Sequence, residues 1–424
     1  MISNTEPKQK EVKRPDQIKR VYFAYIWHGF FLALTMSMLD LNTVFPTLVS
    51  LLTSSRLVFG TLYAIMLGGP LIFNLIFSHF LSNASFKKKY LLIGIIMRST
   101  AFLGMSVSTY IWGTKNPGLA AGLFFIWVIV FSVSAGFAGI AYSDLLGKTL
   151  SGQKRTQLLA AKQFFASTAS FAGGLIITGI LKPGLMSFPN NYALTLLIGF
   201  IGLITASLGF LFVQEPPSKI SPNRDSLITY IRSVPHEVKS DGALLRFIIV
   251  ENLASFSVMV LPFYIIYARE VFKLDSSYVG KYLLIQVSGT ILSNLVWGYI
   301  SRKSQAKTIL RLCIATGVII PLAALTLART NAQAYSLVFF LLGFIVSGRH
   351  IGFEASLLDL APDDKRTQYL GIRGTLNISI IILPIMGSLF IEFLGYEITF
   401  ALVSLVMIYA SWLSRNNSRC CRAD

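Results

Sequence analysis

Charge is scarce in this chain. Asp, Glu, Lys and Arg make up 13% of its 424 residues, about half of the roughly 25% found in soluble domains. That excludes an ordinary water-soluble globule. Histidine is scarcer still: four residues, scattered without a motif, offer no clustered catalytic set, so an enzyme is not expected. The three cysteines are Cys313, inside an apolar run, and Cys420 and Cys421 near the end. Their spacing fits neither a disulfide framework nor a zinc site. No nucleotide-binding motif is present, so neither ATP nor a cofactor is expected to power the protein from within this chain. The polar, basic first 20 residues lead into a long apolar run, not a short one with a small-residue cleavage site. That run is read as a first membrane helix, not as a cleaved signal.

What the chain has instead is apolar length. Hydrophobic residues reach 54%, mean hydropathy is +0.64, and the apolar residues come as long runs. A helix needs roughly 20 such residues to cross a hydrocarbon core about 30 Å thick. Twelve spans are predicted: 21–48, 57–81, 90–112, 118–142, 157–181, 192–213, 245–268, 279–300, 308–328, 333–358, 369–393 and 396–413. The segment 214–244, rich in Pro, Ser and charge, divides them six and six. Within it, 227–231 reads equally well as a short interfacial helix or as irregular loop. The expected organisation is an N-terminal arm (1–20), a six-helix half (21–213), a linker (214–244), a second half (245–413) and a tail (414–424).

Lys and Arg placement sets orientation. With both termini cytoplasmic, 26 of the 37 fall in inner segments, 7 in outer ones, and Arg98, Lys162, Arg349 and Arg373 lie within spans. The net charge of +18 then follows from topology, and no nucleic-acid partner is implied. The expected location is multi-pass, in a bacterial inner (plasma) membrane.

Gln153-Lys154-Arg155-Thr156-Gln157 has an echo in Asp364-Lys365-Arg366-Thr367-Gln368, 211 residues later, or about half the chain. Lys162 and Arg373 fall at the same offset behind each copy, and both copies keep apolar flanks. This is a repeat signal. A unit repeated in the same orientation holds an even number of spans, so six plus six fits and an inverted repeat does not.

Two parallel six-helix halves, a central linker and basic loops after spans four and ten resemble the major facilitator superfamily. A second family mark, the loop between spans two and three, survives in degenerate form as Ser78-His79-Phe80-Leu81-Ser82-Asn83-Ala84-Ser85-Phe86-Lys87-Lys88-Lys89. Its basic residues remain, while the glycine and acid do not. The counterpart after span eight keeps Gly298 and its cations, with Arg302 at the place of the acid. Leu39-Asp40-Leu41-Asn42-Thr43-Val44-Phe45-Pro46 resembles a shortened signature of some drug-exporting members. The resemblance implies an all-α integral membrane protein with a cavity between the halves.

Ionisable groups inside spans cost roughly 2.5–3.5 kcal/mol at a helix centre and mark partners or watery cavities. Asp40, with Asn42 beside it, is a candidate for a proton or a cationic group, or else a hydrated acid near the interface. Arg349 and His350 of span ten are candidates for clamping an anion and for titrating, or else members of an internal network. Glu251 is either a coupling acid or a partner of Arg246. Glu354 with Arg373, and Asp144 with Lys162, occupy related depths and are candidate cytoplasmic gate contacts, or permanent pins. Gln163, Gln286 and Asn294 can add cavity hydrogen bonds. Pro262 and Pro384 mark bends.

The expected function is a secondary active transporter. It would move a small organic solute by alternating access, with protons as coupling ion and the lipid bilayer as solvent. The mixed charges permit an amphiphilic, zwitterionic or anionic solute. An uncoupled facilitator, or a transporter-like sensor or assembly protein without flux, are the alternatives.

Overall fold

The computed structural model describes residues 15–82, 84–150, 152–217, 227–303, 306–360, 369, 372–373 and 376–415. The second Lys-Arg-Thr-Gln copy, Cys420 and Cys421 lie outside them. Among the described residues every regular element is a helix, as backbone polarity in lipid requires: each N–H and C=O must be satisfied within its own segment. Among the described residues, eleven helices are long and apolar enough to cross a membrane. The last, Leu383–Arg415, is broken at Gly395 (φ 78°, ψ 174°), a left-handed backbone that glycine adopts without Cβ strain. Its two arms belong to the eleventh and twelfth expected spans. The chain is an all-α integral membrane protein with twelve transmembrane helices in two parallel six-helix halves.

The first half contains α1 (Pro15–Met38), α2 (Val44–Leu52), α3 (Arg56–Ser82), α4 (Lys88–Trp112), α5 (Pro117–Thr149), α6 (Gly152–Ile180) and α7 (Asn190–Leu208). Sequence signals set several ends. Asn116 caps α5 through Leu119 N at 3.0 Å, with Pro117 at the first helical position. There its missing N–H costs nothing. The predicted first span is not one helix. It breaks at 39–43, where Asp40, Asn42 and Thr43 form a side-chain turn that competes with the helical ladder. Pro46 falls in the first turn of α2, where it is tolerated.

Next comes α8 (Leu227–Ser240). The linker segment is thus helical, and longer than 227–231. Among its described side chains Val234 and Val238, one turn apart, are buried. The seventh span is broken twice, into α9 (Gly242–Ala254), α10 (Phe256–Val260) and α11 (Phe263–Phe272). Asp241 caps α9 by accepting from Ala243 N and Leu244 N at 2.9 and 3.0 Å. The second break falls at Leu261-Pro262, because proline removes a ladder donor. The remaining helices are α12 (Ser277–Lys303), α13 (Ala306–Leu327), α14 (Ala332–Leu360) and α15 (Leu383–Arg415).

Helices alternate in direction, so one end of the bundle carries Pro15 and Arg415 (the terminal end) and the other carries α2 (the α2 end). Within the second half, α12 and α14 cross backbone to backbone. A Cβ on Gly343 would lie 2.3 Å from Gln286 O and 2.5 Å from Thr290 N; one on Gly289 would lie 2.2 Å from Phe340 O. Small residues let helices approach in lipid, where apolar burial supplies little drive. Gly343→Val forces these backbones apart at an overpacking cost of about 1–3 kcal/mol. It is expected to lower the unfolding midpoint in mild detergent by several degrees. Gly122→Val, where no atom lies within 4 Å of the added Cβ, is expected to leave it unchanged.

Candidate functional site

The break in the first span places Asp40. Its Oδ1 accepts from Asn42 N at 2.9 Å and Thr43 Oγ1 at 2.8 Å. Its Oδ2 accepts from Gln286 Nε2 of α12 at 3.4 Å, across the divide between the halves. Both groups line a cavity of about 290 Å³ between α1, α6 and α12, with Ser37, Gln163, Ser167, Ser170 and Thr290. Gln286 is 6% exposed, and its Oε1 has no hydrogen-bond partner among the described residues. Asn42 is buried but does not line the cavity; its backbone amide is what meets Asp40.

The cavity is sealed on one side by close helix contact. A Cβ on Gly280 would lie 2.5 Å from Thr178 N, and one on Gly174 would lie 2.7 Å from the Leu284 side chain. These residues lie on the α2 side of the cavity along α6 and α12. The partner pair of helices behaves alike: a Cβ on Gly60 of α3 would lie 2.9 Å from Pro384 O of α15. Polar contacts between the halves also gather at the α2 end. Arg56 Nη1 donates to Ile391 O at 2.7 Å and its guanidinium lies 5.2 Å from the Tyr396 ring centroid. Arg269 Nη1 donates to Ser50 Oγ at 3.1 Å. In the sequence Arg56 and Arg269 count only as outer charges. Their latching role has no local pattern, since the partners are 335 and 219 residues away.

The second-half charges bond within that half, as in the internal-network alternative. Arg349 does not face the Asp40 cavity. Its Nη1 donates to Ala254 O and its Nη2 to Ser255 Oγ, both at 2.9 Å, and its guanidinium sits 5.2 Å from the Phe353 ring centroid. The break after α9 leaves carbonyls without ladder partners, and a cation at a helix C-terminus satisfies them. The space around it, bordered by Cys313, Ile345 and Met407, leaves no room for a water molecule. An anion clamp is therefore not available at Arg349 in this state. Glu251, 1% exposed, does not wait for Arg246. It accepts two-pronged bonds from Arg373: Nε to Oε1 at 2.8 Å, Nε to Oε2 at 3.0 Å and Nη2 to Oε1 at 2.6 Å. Arg373 is thus bonded to Glu251 rather than to Glu354, which is exposed on α14. His350 lies on α14, and its side chain is outside the described set.

In the first half Asp144 and Lys162 also choose other partners. Asp144 Oδ1 meets Lys87 Nζ at 2.7 Å and Oδ2 meets Lys148 Nζ at 2.6 Å. Lys148 reaches on to Glu215 Oε1 at 2.8 Å. Glu215 in turn accepts from Lys87 N and Lys88 N at 2.7 Å each, an anion on the free amides that open α4. Sequence reasoning missed Glu215. Its only signal is an acid two residues past an apolar run and before Pro216-Pro217. Lys162 Nζ donates to Tyr142 Oη at 2.8 Å, and its stem packs on Gly29. It stays inside its own half.

Asp40 therefore lines a cavity between the halves, while Glu251, Arg373, Arg349, Asp144 and Lys162 bond within a half. No curated protein matches the chain in sequence. Solved structures share its fold. A POT family transporter in complex with a thioalcohol-conjugated peptide is 11% identical, with a TM-score of 0.70 over 97% of this chain and 98% of that one. A POT family transporter in complex with 5-aminolevulinic acid is 11% identical, with a TM-score of 0.71 over the same shares. A D-xylose–proton symporter is 15% identical, with a TM-score of 0.66 over 94% of this chain and 97% of that one. The family model of the Major Facilitator Superfamily matches residues 27–375 and 247–418, and the chain belongs to that superfamily.

Proposed function

We propose that this protein is a secondary active transporter that moves a small organic solute by alternating access, coupled to protons through Asp40. The observation that carries this reading is the position of Asp40. It is an acid at a helix break, lining a cavity between the halves, with only neutral hydrogen-bond partners. A carboxylate among neutral donors changes its charge, and its bonding to Gln286, when it takes up a proton. Proton coupling in the D-xylose–proton symporter of the same fold is consistent with this reading.

The halves 21–213 and 245–413, joined by 214–244, are proposed to rock as bodies. The basic terminal end is taken as cytoplasmic, by the positive-inside bias, and the membrane as a bacterial inner membrane. The described state is then closed outside, at the α2 end, by glycine contacts and two arginine latches. Asp144, Lys162 and Arg373 are proposed to pin helices inside each half in this state. A gating role for them, and for Glu354, requires re-pairing when the cytoplasmic side closes.

Two outcomes test this. Spin labels on Leu185→Cys and Lys273→Cys, in a protein whose Cys313, Cys420 and Cys421 are serine, report the α2-end separation. Acidification is expected to shift the distance distribution in the otherwise wild-type protein and to leave Asp40→Asn fixed. Gly280→Val is expected to favour the longer distances at any pH. Identical pH responses with and without Asp40 would sink the coupling assignment.

The Glu251–Arg373 pair gives the second. Glu251→Leu leaves a buried cation and is expected to cost about 3 kcal/mol of stability, whereas the double variant Glu251→Leu/Arg373→Met recovers most of it. A double variant as unstable as the single would mean that the pair is not a pin.

A further inference from the structure

We propose that the Asp40 cavity selects a small cationic solute rich in hydrogen-bond donors, an organic amine, and rejects organic anions. This rests on the transporter reading and narrows it to a substrate class. Three observations lead to it.

The first is charge. Among the described residues the cavity lining holds one acid, Asp40, and no Lys, Arg or His. The membrane cations nearest in sequence or fold are committed elsewhere: Lys162 to Tyr142, Arg349 to the end of α9, Arg373 to Glu251, Arg269 to Ser50. An anion in this space would meet an unopposed carboxylate across a short, poorly screened gap.

The second is the polarity of the hydrogen-bonding groups. Asp40 Oδ2 receives one long bond, 3.4 Å, from Gln286 Nε2, and an ionised carboxylate is acceptor-only with capacity to spare. Gln286 is more than nine-tenths buried and lines the same cavity. Its Oε1 is an acceptor with no donor among the described residues. Buried amide oxygens are rarely left so. Both under-bonded oxygens are acceptors, Asp40 Oδ2 at the cavity and Gln286 Oε1 closed to solvent beside it, and an ammonium or a vicinal N–H and O–H pair is the donor chemistry they lack.

The third is size and wall chemistry. A volume of about 290 Å³ lies at the small end of ligand cavities, roughly 300–1,000 Å³. The hydroxyls of Ser37 and Thr290 already donate to helix carbonyls, Ser37 to Ala33 O and Ser170 O and Thr290 to Gln286 O. Their remaining lone pairs are again acceptors. A compact amine fits; a large lipid-like molecule does not.

The test uses the full chain in lipid nanodiscs at pH 7.5. Thermal stabilisation is measured with putrescine, agmatine and glucosamine, with the neutral polyols glycerol and glucose, and with the anions succinate and glucose 6-phosphate. At least one amine is expected to raise the unfolding midpoint by several degrees at millimolar concentration. Its apparent Kd should weaken at least tenfold in Asp40→Asn and several-fold in Gln286→Leu. Gly122→Ala, remote from the cavity, serves as the folded control. Three results would overturn the proposal: stabilisation by anions alone, no stabilisation by any amine, or amine binding that Asp40→Asn leaves intact. The transporter reading fails separately. In proteoliposomes, an amine that binds through Asp40 but never moves under a pH gradient defeats coupled transport and leaves the ligand class standing. Anion flux driven by that gradient does the reverse.

Discussion

Lipid offers apolar side chains the same contacts that another helix does, so helices in a bilayer hold together by shape and by the few polar bonds they can complete. The structure depends on where this chain lets backbones touch. Inside the second half, Gly289 and Gly343 bring α12 against α14 at backbone distance. Between the halves, Gly280 and Gly60 do the same with Thr178 and Pro384, and Gly174 admits the Leu284 side chain. The two sets differ in what surrounds them. The first lies in a continuous packed half. The second is flanked on the terminal side by the cavity, so only a short stretch of α6 and α12 joins the halves there. Closing one end by glycine contacts and opening a space beside them are consequences of the same geometry.

The charges follow a second logic. Taking an ion out of water costs several kcal/mol unless another group completes its bonding. Glu251 and Arg373 do this with a two-pronged pair, Arg349 with the freed carbonyl at the end of α9, and Asp144 with two lysines. Each of these satisfied charges ties helices of one half to each other. Asp40 is different in kind: its partners are a backbone amide, a hydroxyl and a distant side-chain amide from the other half. Among these groups it is the carboxylate held by neutral donors, and one of those donors, Gln286 Nε2, comes from across the divide.

The sequence made the helices legible because membrane spans are a matter of composition and length, and the repeat and loop charges carried the pairing of halves. Asp40 was legible too, as an acid in a run of apolar residues. Pro262 announced a break; Ser255 did not, because serine is common within helices and the break there depends on Arg349, 94 residues away, reaching its hydroxyl. The ion pairs were not legible for the same reason. Depth along a span suggested Glu354 for Arg373 and Lys162 for Asp144, but depth leaves the helix face undetermined. Facing is decided by packing: Gly29 makes room for the Lys162 stem, which delivers its ammonium to Tyr142.

The helix break at 39–43 joins these themes. Had the first span continued as one helix, the amide of Asn42 would have bonded within the helical ladder and not to Asp40. The turn instead engages Oδ1 with Asn42 N and Thr43 Oγ1, leaving Oδ2 as the exchangeable oxygen. On the proposed function, the unprotonated oxygen takes a bond from Gln286 Nε2, and a proton placed on it would donate to the vacant Gln286 Oε1. An amide, having a donor and an acceptor on one group, can bridge the halves in either state with a changed orientation. The protonation of one oxygen is thereby tied to the relative placement of α1 and α12, which is the coupling that alternating access needs.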